Sequence, residues 1–392
     1  MASTVADPVS RAKREANVVT TGSKYQPWMP RIWHGMSASA WYGLLWRNRF
    51  AVSPSRWAMV LIVCVISVCN SLARLVQTLL YGRKIARTEI TEAPIFIVGH
   101  WRSGTTMLHE LLVLDPRHAY PDTYACFCPN HFLISGRLIP WWLKYLMPAR
   151  RPMDNMPMGW DCPQEDEFAL LCTGIPSPYL KFAFPNHPPP CPEYLDLKGV
   201  SPRGLARWKR GFVWFLKCLT FRNPKRIVLK SPPHTARIDV LLELFPDARF
   251  VHIVRDPCAV FPSTVKTWKR FYRDHGAQVP KFEGLQEHVF STFERMYAAF
   301  EASRPRIDPS RLCEVRYEDL VEDPVGRIRA VYEQLGLDGF DEVLPAIEQY
   351  AARTAGYQTN RHELAPETQE EVDRRWGPFM RKYGYVSEPA GR

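Results

Sequence analysis

The stretch Ala93-Pro-Ile-Phe-Ile-Val-Gly-His-Trp-Arg-Ser-Gly-Thr-Thr106 decides the fold. An apolar run breaks at Gly99 and restarts at Thr105 with helical spacing, so it reads as strand, loop and helix. Gly99 and Gly104 bracket a turn whose backbone N–H groups can close around an anionic oxygen, and the helix from Thr105 aims its positive end at the same point. The spacing is that of the nucleotide-binding loop G-x-x-x-x-G-K-[ST]. Thr105 stands where the lysine belongs, and Arg102 supplies a cation earlier in the loop. Without that lysine a nucleoside triphosphate fits poorly, whereas a 5′-phosphate bearing one further small anionic group, such as a phosphosulfate, fits well.

Outward from this loop the pattern repeats. The run 225–230 reads as a second buried parallel strand that delivers Lys230-Ser-Pro-Pro-His234, with a helix from Ala236 to Phe245 behind it. Residues 250–254 form a third strand ending in Arg255-Asp-Pro257, where proline suits the first turn of a helix that also carries Ser263. Residues 311–316 form a fourth strand, ending at Tyr317, and the periodic segments 282–303, 324–336 and 342–352 read as helices. The helix from Thr105 carries Met107, Leu108, Leu111 and Leu112 and should stop near Asp115-Pro116. His109 and Glu110 lie on it as ordinary helix-face residues. This alternation predicts an α/β fold, a P-loop-like three-layer αβα sandwich with a mainly parallel sheet, and ligands gather at the C-terminal ends of such strands.

Three segments are expected. Residues 1–56 are basic and Trp-rich, a membrane-interface composition. Residues 57–80 form a hydrophobic, membrane-associated helix; seventeen uncharged residues precede Arg74, marginal against the about 20 that span a bilayer. Basic residues flank both sides, so charge gives no orientation, and an anchor lying in one leaflet is favoured over a span; a helix buried on the catalytic domain is the bland alternative. Residues 93–392 form the catalytic domain. Within it, about 120–200 is dense in Pro, Trp and Cys and reads as an acceptor-binding excursion.

The net charge of +11 suits a polyanionic ligand or an anionic membrane surface. Nucleic acid is not expected, since no basic-aromatic run or zinc-finger, RNP or helix-turn-helix pattern occurs. The ten cysteines have no C-x-x-C spacing, so free thiols in a reducing compartment are expected and no metal site.

With these residues in view, Arg102-Ser-Gly-Thr-Thr106 resembles the 5′-phosphosulfate loop of sulfotransferases that use 3′-phosphoadenosine 5′-phosphosulfate (PAPS). The segment from Phe250 to Pro257, with Ser263, resembles that family's 3′-phosphate site, and Tyr317-Glu-Asp-Leu320 its segment near the adenine. The likeness covers roughly 94–335 and is nearest to a broad microbial branch with sequences like GHWRSGTT and PQEDEFAL. It implies that Arg102, Ser103, Gly104, Thr105 and Thr106 hold the 5′ side, Arg255 and Ser263 the 3′-phosphate and Tyr317 the adenine. It also implies sulfuryl transfer from PAPS to a hydroxyl or amine acceptor; the aromatic, proline-rich insertion and the membrane-proximal N-terminus point to a glycan or lipid-like hydroxyl, and no metal is required.

Arg102 and Lys230 would neutralise the oxygen left on the nucleotide. Two residues compete as general base. In the family's cytosolic branch a histidine follows the strand-end lysine by two positions; Pro232 stands there, leaving His234 as one candidate. The other lies in Pro163-Gln-Glu-Asp-Glu-Phe168: one acid suffices to cap the helix 168–171, so the surplus makes Glu165, or Glu167, a candidate. The alternatives are a P-loop kinase or nucleoside triphosphatase, and a non-catalytic nucleotide-fold module at a membrane. The catalytic domain is expected on the cytoplasmic side, and the oligomeric state is left open.

Overall fold

The computed structural model describes residues 31–136, 159–354 and 364–385. The sequence readings for 1–30 and for 137–158 of the acceptor-binding excursion fall outside those residues.

Five strands build one parallel sheet in the order β2-β3-β1-β4-β5: β1 (Ile95–Val98), β2 (His118–Ala119), β3 (Arg226–Lys230), β4 (Arg249–Val254) and β5 (Leu312–Arg316). Their β-branched and aromatic residues suit strands covered on both faces. In register, Ile97 lies opposite Lys230, Val98 opposite His252 and Val254 opposite Arg316. All four long strands therefore end along one edge.

Alternate side chains divide the core. Ile95, Ile97, Val251 and Ile253 pack on one face against Leu108 and Leu112 of α3 (Thr105–Leu112) and Ile328 and Val331 of α9 (Pro324–Gln334), near α10 (Phe340–Thr354). Phe96, Val98, Leu229 and Phe250 face the opposite layer. That layer contains α4 (Asp166–Cys172), α5 (Pro202–Arg222), α6 (Ile238–Leu244), α7 (Pro257–His275), α8 (Leu285–Ser303) and α11 (Pro366–Tyr383). The three-layer expectation holds.

Several boundaries differ from expectation. The edge strand β2 was not foreseen, because two residues carry no alternation. Helix α3 stops at Leu112, before the proline, because the Asp115 carboxylate accepts from Arg117 and the Tyr332 hydroxyl and turns the chain. Residues Pro232–Ala236 form a 3-10 turn, and α6 starts only at Ile238. Ahead of the sheet lie α1 (Ala38–Arg47) and α2 (Trp57–Arg87), the latter longer than the predicted 57–80. It is one helix long and apolar enough to cross a membrane. It packs on the catalytic domain by one face only, burying Met59, Val60 and Val63 while Leu72 and Leu79 face outward. All ten cysteines are free thiols.

Candidate active site

The loop after β1 is pinned from the neighbouring strand. Gly99 N–H donates to Thr235 Oγ1 at 2.7 Å, and that hydroxyl donates back to Gly99 O at 3.1 Å. Ser103 Oγ donates to His100 O at 2.7 Å, closing the turn. Gly104 caps α3 with φ +98°, and a Cβ there would lie 2.2 Å from the Tyr317 ring, so no other residue fits without displacing that ring. Arg102 itself is held at φ +70°, unusual for a non-glycine residue and a form of strain that clusters at ligand-binding loops. Thr105 and Thr106 begin α3, whose first N–H groups face the loop.

Strand order brings the predicted cations together. Arg102 Nε donates to Ser263 Oγ at 2.9 Å, and Arg255 NH1 donates to Arg102 O at 3.0 Å. The Arg255 guanidinium lies 4.3 Å from the centroid of the Tyr317 ring. Asp256 does not pair with Arg255; its carboxylate caps α7 by accepting from Cys258 N–H at 2.8 Å. Arg102, Arg255, Ser263 and Tyr317, drawn from three strand ends and one helix, thus form one contiguous group. A guanidinium fork beside a hydroxyl and an aromatic face matches a phosphate next to a base.

The acid triplet meets the segment after β3 residue by residue. Glu165 Oε1 accepts from Lys230 Nζ at 2.8 Å, and its other oxygen accepts from the Tyr179 hydroxyl. Trp101 Nε1 donates to that hydroxyl at 2.8 Å. Burial, and then Glu165 itself, raises the Tyr179 hydroxyl well above its ordinary range, so it stays a proton donor. Asp166 accepts from Ser231 Oγ at 2.9 Å and lies 2.7 Å from His234 Nε2. Burial pulls this carboxyl upward, but the His234 charge and the hydrogen bonds from His234 and Ser231 outweigh it and hold Asp166 below the usual carboxylate range. Glu167 binds Arg237 in a two-pronged pair at 2.6 and 3.1 Å, both side chains fully buried.

The capping expectation therefore needs correction. Glu165 occupies the N-cap of α4 without a side-chain cap bond, because each of the three acids is committed to a cation, hydroxyl or histidine from the β3 side. His234 has no exposed surface and packs edge-on against Phe96 and Phe212. The Glu165 side chain is 14% exposed. His109 and Glu110 are structural neighbours of Val228 O and the Tyr350 hydroxyl respectively.

A cavity of about 250 Å³ opens beside this group, lined by Trp101, Tyr179, Phe182, Pro192, Trp268 and Arg295 among others. Much of its wall is the proline- and aromatic-rich excursion. Sequence reasoning missed Trp101 and Tyr179; the only signal was an aromatic pair in segments already singled out for other residues.

A parallel αβα sheet with a glycine-bracketed loop and cations at successive strand ends is the architecture of a nucleotide-fold group transferase. The chain belongs to the sulfotransferase family, whose profile matches residues 94–342. It is 47% identical over 371 residues to the omega-hydroxy-beta-dihydromenaquinone-9 sulfotransferase Stf3 of Mycobacterium bovis and of Mycobacterium tuberculosis, covering 94% of this chain and 95% of that protein. That share is too large to leave out α1 and α2, so the likeness extends beyond the region expected from the motifs. In fold it is similar to sulfotransferase STF9 from Mycobacterium avium (TM-score 0.63, 19% identity, 91% of this chain and 98% of that one). It is also similar to STF1 from Mycobacterium tuberculosis (TM-score 0.58, 18% identity, 95% and 99%). The chain is accordingly a PAPS-dependent enzyme that transfers a sulfuryl group to a hydroxyl-bearing acceptor, and the kinase and non-catalytic alternatives fall away.

Proposed function

We propose that this enzyme sulfates the terminal hydroxyl of a polyprenyl quinone lipid at a membrane, with its catalytic domain on the cytoplasmic side and Glu165 as general base. The observation that carries the base assignment is the Glu165 carboxylate itself, held by Lys230 and by Tyr179, which lines the cavity. The acceptor class rests on the likeness to Stf3, and the proline- and aromatic-lined cavity suits an isoprenoid end better than a sugar. Ten free thiols agree with a reducing compartment.

In this reading Arg102 and the loop through Thr106 hold the 5′ side of PAPS, Arg255 and Ser263 bind its 3′-phosphate, and Tyr317 packs near the adenine. The acceptor oxygen forms a bond to sulfur while its proton passes to Glu165. The bond from sulfur to the 5′-phosphate oxygen breaks, leaving a sulfate ester and 3′,5′-adenosine bisphosphate. As Glu165 is protonated, Lys230 loses its anionic partner while charge grows on the departing phosphate. The ammonium is thus released to the place where it is needed, an economical use of one ion pair. His234, enclosed with Asp166, acts as a brace for the β3 turn.

The test is transfer of ³⁵S from labelled PAPS to an ω-hydroxylated menaquinone in detergent, beside a simple phenol and a disaccharide. The reading expects a sulfated quinone that forms at least tenfold faster, in kcat/KM, than the other two products. Preferential labelling of the phenol or the sugar would contradict the acceptor class.

A further inference from the structure

Helix α2 has two faces of opposite character. On the inner face, Asn70 Nδ2 donates to His34 O and Met36 O at 2.6 and 3.0 Å, and Asn70 Oδ1 lies 3.1 Å from His131 Nε2. Gln77 Oε1 accepts from Leu133 N–H at 2.9 Å, and Lys217 Nζ donates to Ala86 O at 2.9 Å near the far end. On the outer face Leu61, Val65, Leu72, Leu75, Leu79 and Leu80 are each 57–76% exposed. Leu61, Val65, Leu72, Leu75 and Leu79 recur at three, four or seven residues, which aligns them along one side of the helix with Leu80 next to it. Trp46, at the end of α1, is 75% exposed, and Phe50 and Trp57 are exposed nearby. Soluble monomers rarely leave so long an apolar stripe uncovered.

Charge identifies what covers it. No Asp or Glu occurs from Ala16 to Thr88, while Arg47, Arg49, Arg74, Arg83, Lys84 and Arg87 are exposed around the stripe. A second copy of the chain would bring these cations against each other; a bilayer with anionic headgroups brings them against opposite charge. Arg74 falls between Leu72 and Leu75, so a spanning helix would carry it into hydrocarbon, whereas a helix lying in the interface lets it reach the headgroups. Spanning would also either strip Asn70 and Gln77 of their partners or drag the domain into the bilayer.

From these observations we infer that α2 does not cross the membrane but lies flat on an anionic bilayer surface, outer face down, with the catalytic domain bonded to its back. The segment joining α1 to α2 extends this contact towards the acceptor cavity. Asn48 Oδ1 lies 2.8 Å from His187 Nδ1, and Ala51 O accepts from Gln278 Nε2 at 3.0 Å. Lys181, which lines the cavity, donates to Pro185 O and His187 O. Docking therefore fixes the wall of the cavity relative to the bilayer, and, resting on the proposed lipid acceptor, lets its hydroxyl end be taken up from the interface.

The test uses the full chain in vesicle flotation, with phosphatidylcholine alone or with one-third phosphatidylglycerol, and spin labels at Leu61→Cys, Leu72→Cys and Leu79→Cys in a Cys69→Ser background. Binding should be at least tenfold stronger to the anionic vesicles, and the three labels should report one shallow depth. The triple variant Leu61→Ser/Leu72→Ser/Leu79→Ser should lose at least tenfold in binding yet turn over a short, water-soluble ω-hydroxy quinone within twofold of wild type. Depths graded from one leaflet to the other would overturn the inference in favour of a span. No preference for anionic vesicles, or a dimer that the triple variant abolishes without any flotation, would overturn it in favour of another occupant. Intact flotation without quinone sulfation would instead count against the acceptor reading alone.

Discussion

At Glu165 and His234 the same short region offers two protonatable groups, and burial separates them. His234 is enclosed by Asp166, Phe96 and Phe212, whereas Glu165 keeps an exposed edge and touches both Lys230 and Tyr179, the latter a wall of the cavity. Glu165→Gln should lower kcat by about 10²–10⁴-fold, the usual worth of general-base catalysis, and leave affinity for 3′,5′-adenosine bisphosphate within a few-fold of wild type. His234→Ala should do the opposite. Removing the partner of the buried Asp166 carboxylate costs about 3–5 kcal/mol, so the melting temperature should fall while kcat per donor-binding site is largely kept. Thermal melts alongside turnover, normalised to sites counted by calorimetry, decide it. A stable His234→Ala enzyme with no turnover would reinstate the histidine as base.

The elements show which parts of this architecture are local in origin. β1, β3 and β4 are legible because each is a mainly apolar, β-branched run bounded by charge or glycine, β5 because it alternates apolar and polar residues, and the anion loop because Gly99 and Gly104 stand five apart between a strand and a helix. The N-terminal helix is legible as apolar, but not that Asn70 and Gln77 tie it to the domain, since their partners lie more than thirty residues away. The acid triplet was the hardest to read. Its partners Lys230, Ser231, His234 and Arg237 lie 64 to 70 residues on, and only the sheet brings the two segments together. One signal was present: three adjacent acids opening a wholly apolar helix cannot all reach solvent, so a matching cationic segment had to exist. Capping, a local rule, gave the wrong answer because tertiary pairing took precedence.

Across the whole molecule, burial of neutral imidazoles sets the response to acid. His34, His100 and His288 are pushed down to about 4 and His275 to about 3, in each case chiefly by burial. An unfolded chain takes up these protons near pH 6.5, the folded one only below its lowered values, so the unfolded state binds more protons in between and stability falls as pH falls. That contribution is fully present above about pH 6.5 and is lost progressively towards pH 4 and below. Asp166, lowered by its partners, adds a loss in the same direction at the acidic end of this window. Melting temperature measured from pH 8 to 4.5 should be flat to about 6.5 and then decline steeply; a rise on acidification would contradict the burial of these groups.

In the proposed mechanism, loops from separate strand ends converge on one donor whose 3′-phosphate Arg255 and Ser263 hold. Calorimetric titration of 3′,5′-adenosine bisphosphate beside 5′-adenosine monophosphate and adenosine triphosphate with Mg²⁺, on wild type and Arg255→Ala, tests it most directly. The bisphosphate should bind best, and Arg255→Ala should remove about 1.5–3 kcal/mol, the worth of a hydrogen bond to a charged group, from bisphosphate binding while leaving the monophosphate nearly unchanged. Tightest binding of the triphosphate, or equal losses for bisphosphate and monophosphate in the variant, would contradict it.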